Sequence, residues 1–304
     1  MSFDFRTLGR ELTNWGRWGP ADQIGTLNLV TAAHIQAAAR EIRSGKVFQL
    51  SIPVGKDGPQ NGFIGRVNPV HLMSVQPGDW DRDGMQVADD WIIMPLQSGT
   101  QWDALSHIAY DGKLYNGYST DQVSTLNGAG QLAVDAFSDR IVGRGVLLDI
   151  ARLHGVDWLM PGTAITTADL EEAERVQGVT VDDGDFLLVR TGWRQRLAIE
   201  GKDGWMDAEP GLGIDCPRWL RDRRVAAVGA DNWAIEVIPS QTGVMLPLHC
   251  ILIRDMGMPL AEILDLETLS QDCAADSKWS FMFVAPPLHI SNAVGSPTTP
   301  IAIK

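Results

Sequence analysis

The chain contains the apolar run Trp91-Ile-Ile-Met-Pro-Leu96, followed directly by Gln97-Ser-Gly-Thr-Gln101-Trp-Asp103-Ala-Leu-Ser-His107. An apolar run that leads into clustered polar side chains is typical of a strand that delivers a functional loop. If the backbone stays extended from Gln101 to Asp103, both side chains lie on one face. Gly99 lets the backbone bend so that Gln97 can join them. A polar loop around a buried, hydrogen-bonded histidine would show the same pattern.

These side chains suit a hard divalent cation with a base beside it. Carboxylate and amide oxygens bind Mg²⁺, Mn²⁺ or Zn²⁺, and histidine changes its charge near neutral pH. The segment is therefore compatible with a metal site in which Asp103 carries the charge and His107 can move a proton, and equally with a polar loop around a buried, hydrogen-bonded histidine.

The segment resembles the signature of the cyclase family of metal-dependent hydrolases, which includes kynurenine formamidase, isatin hydrolase and trans-dienelactone hydrolase. In kynurenine formamidase it reads His-x-Gly-Thr-His-x-Asp-x-Pro-x-His. Asp103 and His107 match this pattern, whereas Gln97 and Gln101 stand at the first two histidines and Leu105 replaces the proline. The two glutamines leave the number and the identity of the metals open.

The resemblance extends over nearly the whole chain. His249, in Leu246-Pro-Leu-His249, and Glu262 resemble the later metal-binding histidine and glutamate of the family. Three further stretches are similar: Asn14-Trp-Gly-Arg-Trp-Gly-Pro20, Ala230-Asp-Asn-Trp-Ala234 and Phe283-Val-Ala-Pro-Pro287. The chain is therefore identified as a member of the cyclase family.

Strand-like apolar runs alternate with helical patterns, which indicates an α/β protein. Because the runs do not alternate with polar residues, we expect them to be buried on both faces. The runs are Val47–Pro53, Trp91–Leu96, Val146–Ile150, Phe186–Arg190, Val225–Val228 and Phe281–Val284. The resemblance implies a swivelling β/β/α fold with a mixed central sheet. At 304 residues, we expect a single domain spanning residues 1–304.

Two helices can be located by their ends. Thr31 is placed to cap a helix that Gly45 would end. Thr166 and Asp169 have the spacing of a capping box before a helix that would end at Gly178.

His249 lies in an apolar stretch in which Pro247 is placed to start a helix and Gly257 to end it. Such a histidine is more often a packed core residue than a metal ligand, but the resemblance favours a ligand. Glu262 follows thirteen residues later, so a chain reversal could return it to the same site. There it would bind a second metal or hydrogen-bond to the ligands.

The composition excludes several classes of protein. A net charge of -13 argues against nucleic-acid binding, and an anionic substrate would need a local basic group, for which Arg66 and Arg190 are candidates. No apolar stretch approaches the roughly 20 residues that span a bilayer, and the amino terminus lacks the order of a signal peptide. Three widely spaced cysteines fit reduced thiols. We expect a cytoplasmic protein that forms a homo-oligomer, a dimer or a tetramer, and binds no membrane.

Aromatic side chains with polar tips often hold a planar substrate, although a well-packed loop also uses them. The candidates for the substrate pocket are Tyr110, Tyr115, Trp102, Trp233 and His71.

The resemblance implies a metal-dependent hydrolase that opens a lactone, a cyclic amide or an acyl amide of a small molecule. In this hypothesis metal-bound hydroxide attacks the carbonyl and His107 is the general base. The metal ligands would be Gln97, Gln101, Asp103 and His249. Since amides replace two imidazoles, Mn²⁺ is favoured and Zn²⁺ comes next. Two alternatives stay open: a family member that binds small molecules without metal, and a lyase or cyclising enzyme that uses the same site.

Overall fold

Nine strands form one mixed sheet in the computed structural model, which describes residues 4–304. In chain order they are β1 (Val47–Gln49), β2 (Gln101–Asp103), β3 (Val142–Asp149), β4 (Phe186–Arg190), β5 (Ala227–Ala230), β6 (Leu260–Glu262), β7 (Ser280–Val284), β8 (Gly295–Pro297) and β9 (Ile301–Ile303). Their order across the sheet is β1-β9-β7-β3-β4-β5-β6-β2-β8. Strands β3 to β6 run parallel, and the other neighbours are antiparallel. The α/β class and the mixed central sheet are therefore confirmed.

The central parallel strands are buried on both faces, as their apolar runs predict. Leu187 and Val189 of β4 pack into one core cluster, whereas Phe186 and Leu188 pack into a second cluster on the other face. Each of these four side chains is at most 1% exposed. Period-two alternation thus divides one apolar run between two cores.

Helices cover the sheet. They are α1 (Phe5–Leu12), α2 (Ala32–Ala38), α3 (Ile150–Leu153), α4 (Thr167–Gln177), α5 (Trp193–Glu200), α6 (Cys216–Asp222), α7 (Pro247–His249) and α8 (Glu267–Asp276). A π-helix over Cys250–Asp255 continues α7, and a short 3₁₀-helix over Ala39–Glu41 follows α2. Within residues 4–304, no helix has both the length and the apolar character needed to cross a membrane.

The predicted helix caps are largely confirmed. Thr31 and Thr166 each form a capping box, and Gly178 ends α4 in the left-handed conformation. The helix that Thr31 caps, α2, is shorter than predicted. It ends at Ala38, and Gly45 lies several residues beyond the 3₁₀-helix that follows.

Two strand predictions are wrong about burial. The run Val47–Pro53 forms only the short edge strand β1, in which Val47 is 61% exposed. The run Trp91–Leu96 does not lie inside the central sheet: its first part belongs to a strand over Asp89–Ile93, whose one partner strand among residues 4–304 is Val70–Val75. Trp91, Ile92 and Ile93 are 56%, 47% and 58% exposed. An apolar run predicts a strand, but it does not show whether another element covers that strand.

Three further pairs of short strands lie outside the central sheet. They are Ala164–Ile165 with Gly211–Leu212, Asp81–Arg82 with Met85–Gln86, and Val123–Ser124 with Gly128–Ala129.

Candidate metal centre

The register of β2 against β6 brings two carboxylates to one face of the sheet. Gln101 lies opposite Glu262, and Asp103 lies opposite Leu260. Because opposite residues share a face and side chains alternate along a strand, Gln101, Asp103 and Glu262 all project to the same side. Trp102, between them, projects to the other side.

His249 reaches this face from the end of α7. Its Nε2 lies 3.1 Å from an Oε1 of Glu262 and 3.9 Å from Oδ2 of Asp103. Asp103, His249 and Glu262 each offer a ligand atom, and these atoms lie within 4.8 Å of one another. Pro247 starts the helix, as predicted, and a π-helix follows the histidine, a distortion often found at functional sites.

Gln101 lies between the two carboxylates. Its Nε2 donates to Glu262 Oε2 at 2.8 Å and to Asp103 Oδ1 at 3.3 Å, while its Oε1 is buried without a hydrogen-bond partner. Half a turn of the amide group would exchange these two atoms. Gln101 can therefore supply either a donor to the carboxylates or an oxygen ligand.

Gln97 reaches the same face across β8. Gly295 lies opposite Asp103, so a side chain at Gly295 would project beside that carboxylate. A β-carbon there would lie 2.5 Å from Nε2 of Gln97, which is buried and has no hydrogen-bond partner. The amide of Gln97 thus occupies the space that the glycine leaves free next to Asp103.

His107 approaches the cluster from the loop after β2. Its Nε2 is 3.8 Å from Asp103 Oδ1, and the side chain is 17% exposed. Burial lowers the pKa of His107 and outweighs the opposing effect of Asp103. The imidazole is therefore neutral at pH 7 and can accept a proton.

The charges inside the cluster depend on one another. Burial, with the adjacent Asp103 carboxylate, raises the pKa of Glu262 to about 7. Burial also opposes the charged form of His249, but its hydrogen bonds to Glu236 and Glu262 raise its pKa to about 10. The carboxylates of the cluster are thus stabilised by a nearby positive charge. The protonated His249 carries that charge as long as no metal cation is bound.

Glu236 contacts the candidate metal centre, although sequence reasoning did not single it out. It accepts a hydrogen bond from His249 Nδ1 at 2.8 Å and from the backbone N–H groups of Leu248 and His249. Carboxylates that bind the far nitrogen of a metal-binding histidine fix the orientation of its ring. The one available signal was its place in the segment that follows β5, where α/β sheets carry functional groups.

We expect Glu236→Gln to weaken metal binding by about 10- to 100-fold, because this is the usual effect of removing such a partner. Metal titration monitored by calorimetry measures the loss. Glu41→Gln, a change at a half-buried carboxylate that pairs with Arg144 instead, is the control. Unchanged affinity in Glu236→Gln would show that Glu236 does not orient the histidine.

The donor set fits a divalent metal ion. Gln101 Oε1 and Asp103 Oδ2 are buried and have no hydrogen-bond partner, although buried polar atoms normally have one. Together with the carboxylate of Glu262 and the imidazole of His249, they form a compact group of oxygen and nitrogen donors. Mn²⁺ and Zn²⁺ both accept such a group.

Four residues predicted to line the pocket have other contacts. The hydroxyl of Tyr110 donates to Asp255, and the hydroxyl of the buried Tyr115 donates to Asp22. His71 pairs with Asp90 on the exposed pair of strands Val70–Val75 and Asp89–Ile93. The indole of Trp102 donates to a backbone carbonyl on the opposite side of the sheet from Asp103. A place for these four residues in the substrate pocket stays a prediction.

The fifth predicted residue, Trp233, lies in the loop after β5. It packs with Ile52 and Ile263 in a small cluster, and Ile263 directly follows the candidate ligand Glu262. Its Nε1 is buried and has no acceptor within residues 4–304. Trp233 therefore stays a candidate for the pocket wall.

The chain is similar to known proteins of one family. A solved structure described as a novel cyclase is 40% identical, covers 96% of this chain and 100% of its own, and superposes with a TM-score of 0.90. Isatin hydrolase from Roseibium aggregatum is 25% identical over 234 residues, which is 74% of this chain and 78% of that protein. An isatin hydrolase structure bound to the product analogue thioisatinate is 19% identical, covers 90% and 98% of the two chains, and has a TM-score of 0.60. The family model described as putative cyclase matches residues 48–237, and the chain belongs to the cyclase family.

Proposed function

We propose that this protein is a metal-dependent hydrolase of a small molecule and opens a lactone, a cyclic amide or an acyl amide. The convergence of Asp103, His249 and Glu262 within 4.8 Å carries the proposal. The similarity to isatin hydrolase supports hydrolysis as the reaction class.

Asp103, Glu262 and His249 are the ligands we propose for the metal, and the amides of Gln101 and Gln97 lie beside them. When bound, a divalent ion polarises a carbonyl and lowers the pKa of water. Because most donors are oxygen atoms, Mn²⁺ is favoured over Zn²⁺, which prefers nitrogen and sulfur.

His107 is the residue we propose to move the proton. It is neutral, reaches the cluster from the side of Asp103 and is partly exposed, so that a substrate can contact it. It would accept a proton from the attacking water and return it to the leaving group. The buried Glu236 would hold His249 in place throughout.

A combined metal and product analysis tests the proposal. The protein is purified without added metal, analysed for bound ions, loaded with Mn²⁺ or Zn²⁺, and assayed against lactones, N-formyl amides and cyclic imides. We expect one compound class to be hydrolysed with uptake of one water. The ring-opened product of a lactone or a cyclic imide is heavier than its substrate by one water, and the two products of an N-formyl amide, formate and the amine, together exceed it by one water. Products whose summed mass does not exceed that of the substrate would indicate a cyclising enzyme or a lyase, and ligand binding without any metal would indicate a binding protein.

A further inference from the structure

The loop after β5 contacts the candidate metal centre at two places. The backbone carbonyl of Asn232 accepts a hydrogen bond at 2.8 Å from the N–H of Ile263, the residue that follows Glu262. At the other end of the loop, Glu236 accepts hydrogen bonds from the backbone N–H and from the imidazole of His249. The position of this loop therefore affects the two candidate ligands that lie outside β2.

Three buried carboxylates fix the backbone in and around this loop in the same way. Each accepts hydrogen bonds from the backbone N–H groups of two successive residues. Successive N–H groups form a site for an anion, and the two oxygens of a carboxylate satisfy both donors. The pairs are Leu248 and His249 for Glu236, Thr191 and Gly192 for Asp231, and Trp233 and Ala234 for Glu209.

Glu209 is the one of the three that reaches the loop from another segment of the chain. Its side chain is 0% exposed, and its two oxygens accept the N–H groups of Trp233 and Ala234, each at 2.9 Å. Within residues 4–304, no basic side chain pairs with this carboxylate. Because burial of a carboxylate without a paired cation is costly, packing alone does not explain a glutamate here. The two N–H groups that it accepts are its function in the fold.

The backbone beside Glu209 lies directly against Glu236. Glu209 and Ile238 exchange two backbone hydrogen bonds, at 2.9 and 3.1 Å. A β-carbon at Gly211 would lie 2.4 Å from the backbone carbonyl carbon of Glu236, so that glycine is what allows the two segments to approach this closely. Glu209 therefore holds the chain before Glu236 through its side chain and the chain after Glu236 through its backbone.

These contacts connect Glu209 with the candidate ligand His249. Two residues after the N–H groups that Glu209 accepts, the carboxylate of Glu236 lies 2.8 Å from His249 Nδ1. The opposite nitrogen of that imidazole, Nε2, lies 3.1 Å from Glu262. Every group in this series is buried. A rotation of the peptide groups that Glu209 binds would move Glu236 and turn the imidazole.

We propose that Glu209 is a positioning residue, which holds the loop after β5 so that Glu236 orients the imidazole of His249 toward the metal. The inference deepens the proposed function and rests on it for the metal, whereas the orientation of the imidazole can be measured in metal-free protein. In this role Glu209 contacts neither the metal nor the substrate.

Glu209→Gln tests the proposal, because the amide keeps the size of the side chain but offers one acceptor oxygen to two N–H groups. The first measurement follows the Nδ1 proton of His249 by NMR in metal-free protein with isotope-labelled histidine, and its loss in His249→Gln identifies the signal. The second measurement is a calorimetric titration with Mn²⁺. Both are repeated for Glu236→Gln and for the double variant.

Glu174→Gln is the matched control. Glu174 is also buried and accepts a backbone N–H, that of Val181 at 2.7 Å, but it lies in α4 and pairs with Arg223. This variant should leave both the proton signal and the affinity for Mn²⁺ unchanged, even where it lowers the temperature of unfolding.

We expect the Nδ1 proton signal to shift or broaden in Glu209→Gln, because its hydrogen bond to Glu236 is weakened. Mn²⁺ should bind about 10-fold more weakly, at the lower end of the range for partners of metal-binding histidines. Because Glu209 acts through Glu236, the double variant should bind Mn²⁺ within about twofold of Glu236→Gln alone.

An unchanged proton signal in folded Glu209→Gln would overturn the proposal, as would losses of affinity that add in the double variant. The same changes in Glu174→Gln would also overturn it, since they would follow from lower stability in general. If circular dichroism shows that Glu209→Gln does not fold, Glu209→Asp, whose carboxylate is one methylene shorter, replaces it in the same comparison. A wild-type protein that binds no Mn²⁺ would count against the proposed function, and the proton signal would still decide the role of Glu209.

Discussion

Asp103→Asn should remove bound divalent metal and hydrolytic activity together. Asp103 is fully buried, lies within reach of both His249 and Glu262, and has one carboxylate oxygen without a hydrogen-bond partner. An asparagine keeps the shape of the side chain but removes the negative charge that a dication requires. Metal analysis of the purified variant and a turnover assay at saturating Mn²⁺ measure the two losses.

Asp185→Asn is the matched control for this variant. Asp185 is also a buried aspartate, but its carboxylate bonds to Arg144, and burial raises its pKa to about 7. An asparagine amide oxygen can accept the hydrogen bonds that Arg144 and the Asp182 backbone N–H donate to this carboxylate, so this variant should keep both metal and activity. Full metal occupancy in Asp103→Asn would contradict the proposed ligand set.

His107→Ala should keep its metal and its fold but lose roughly 10²- to 10⁴-fold in turnover, the usual contribution of a positioned proton carrier. Burial lowers the pKa of this histidine below its ordinary value of 6.5. The neutral base is therefore present above that lowered pKa, and the wild-type rate should fall as the pH drops through it. The variant should lack this acid limb in its pH profile.

The metal content of His107→Ala separates the remaining interpretations of this residue. Loss of metal would make His107 a ligand, whereas near-normal turnover with an unchanged pH profile would make it structural. Circular dichroism of the variant shows whether a lower rate reflects a loss of folded protein.

Local pattern was enough to predict part of the fold and of the site. Phe186–Arg190 coincides with β4, and the alternation of Gln101 and Asp103 placed both side chains on one face. Thr166 and Pro247 start helices as expected. These features depend on residues a few positions apart, and short-range geometry determines them.

The other features depend on contacts between distant segments. The sequence analysis named Gln97 and Gln101 as metal ligands and gave Glu262 only a supporting role. The pairing of Glu262 opposite Gln101 nevertheless places its carboxylate directly beside Asp103. Glu236 contacts His249 only because the loop after β5 meets the start of α7. The exposure of Trp91 likewise depends on which element covers it. No spacing along the chain contains this information.

The pairing of β8 with β2 also has a consequence for protein synthesis. Strand β8, over Gly295–Pro297, borders the strand that carries Asp103, and β9 lies between β1 and β7 in the sheet order. Neither end of the sheet can therefore be completed until residues 295–303 have left the ribosome. Until then β2 exposes an unpaired edge, which can pair with other chains. We expect the nascent chain to depend on chaperones until β8 has paired with β2.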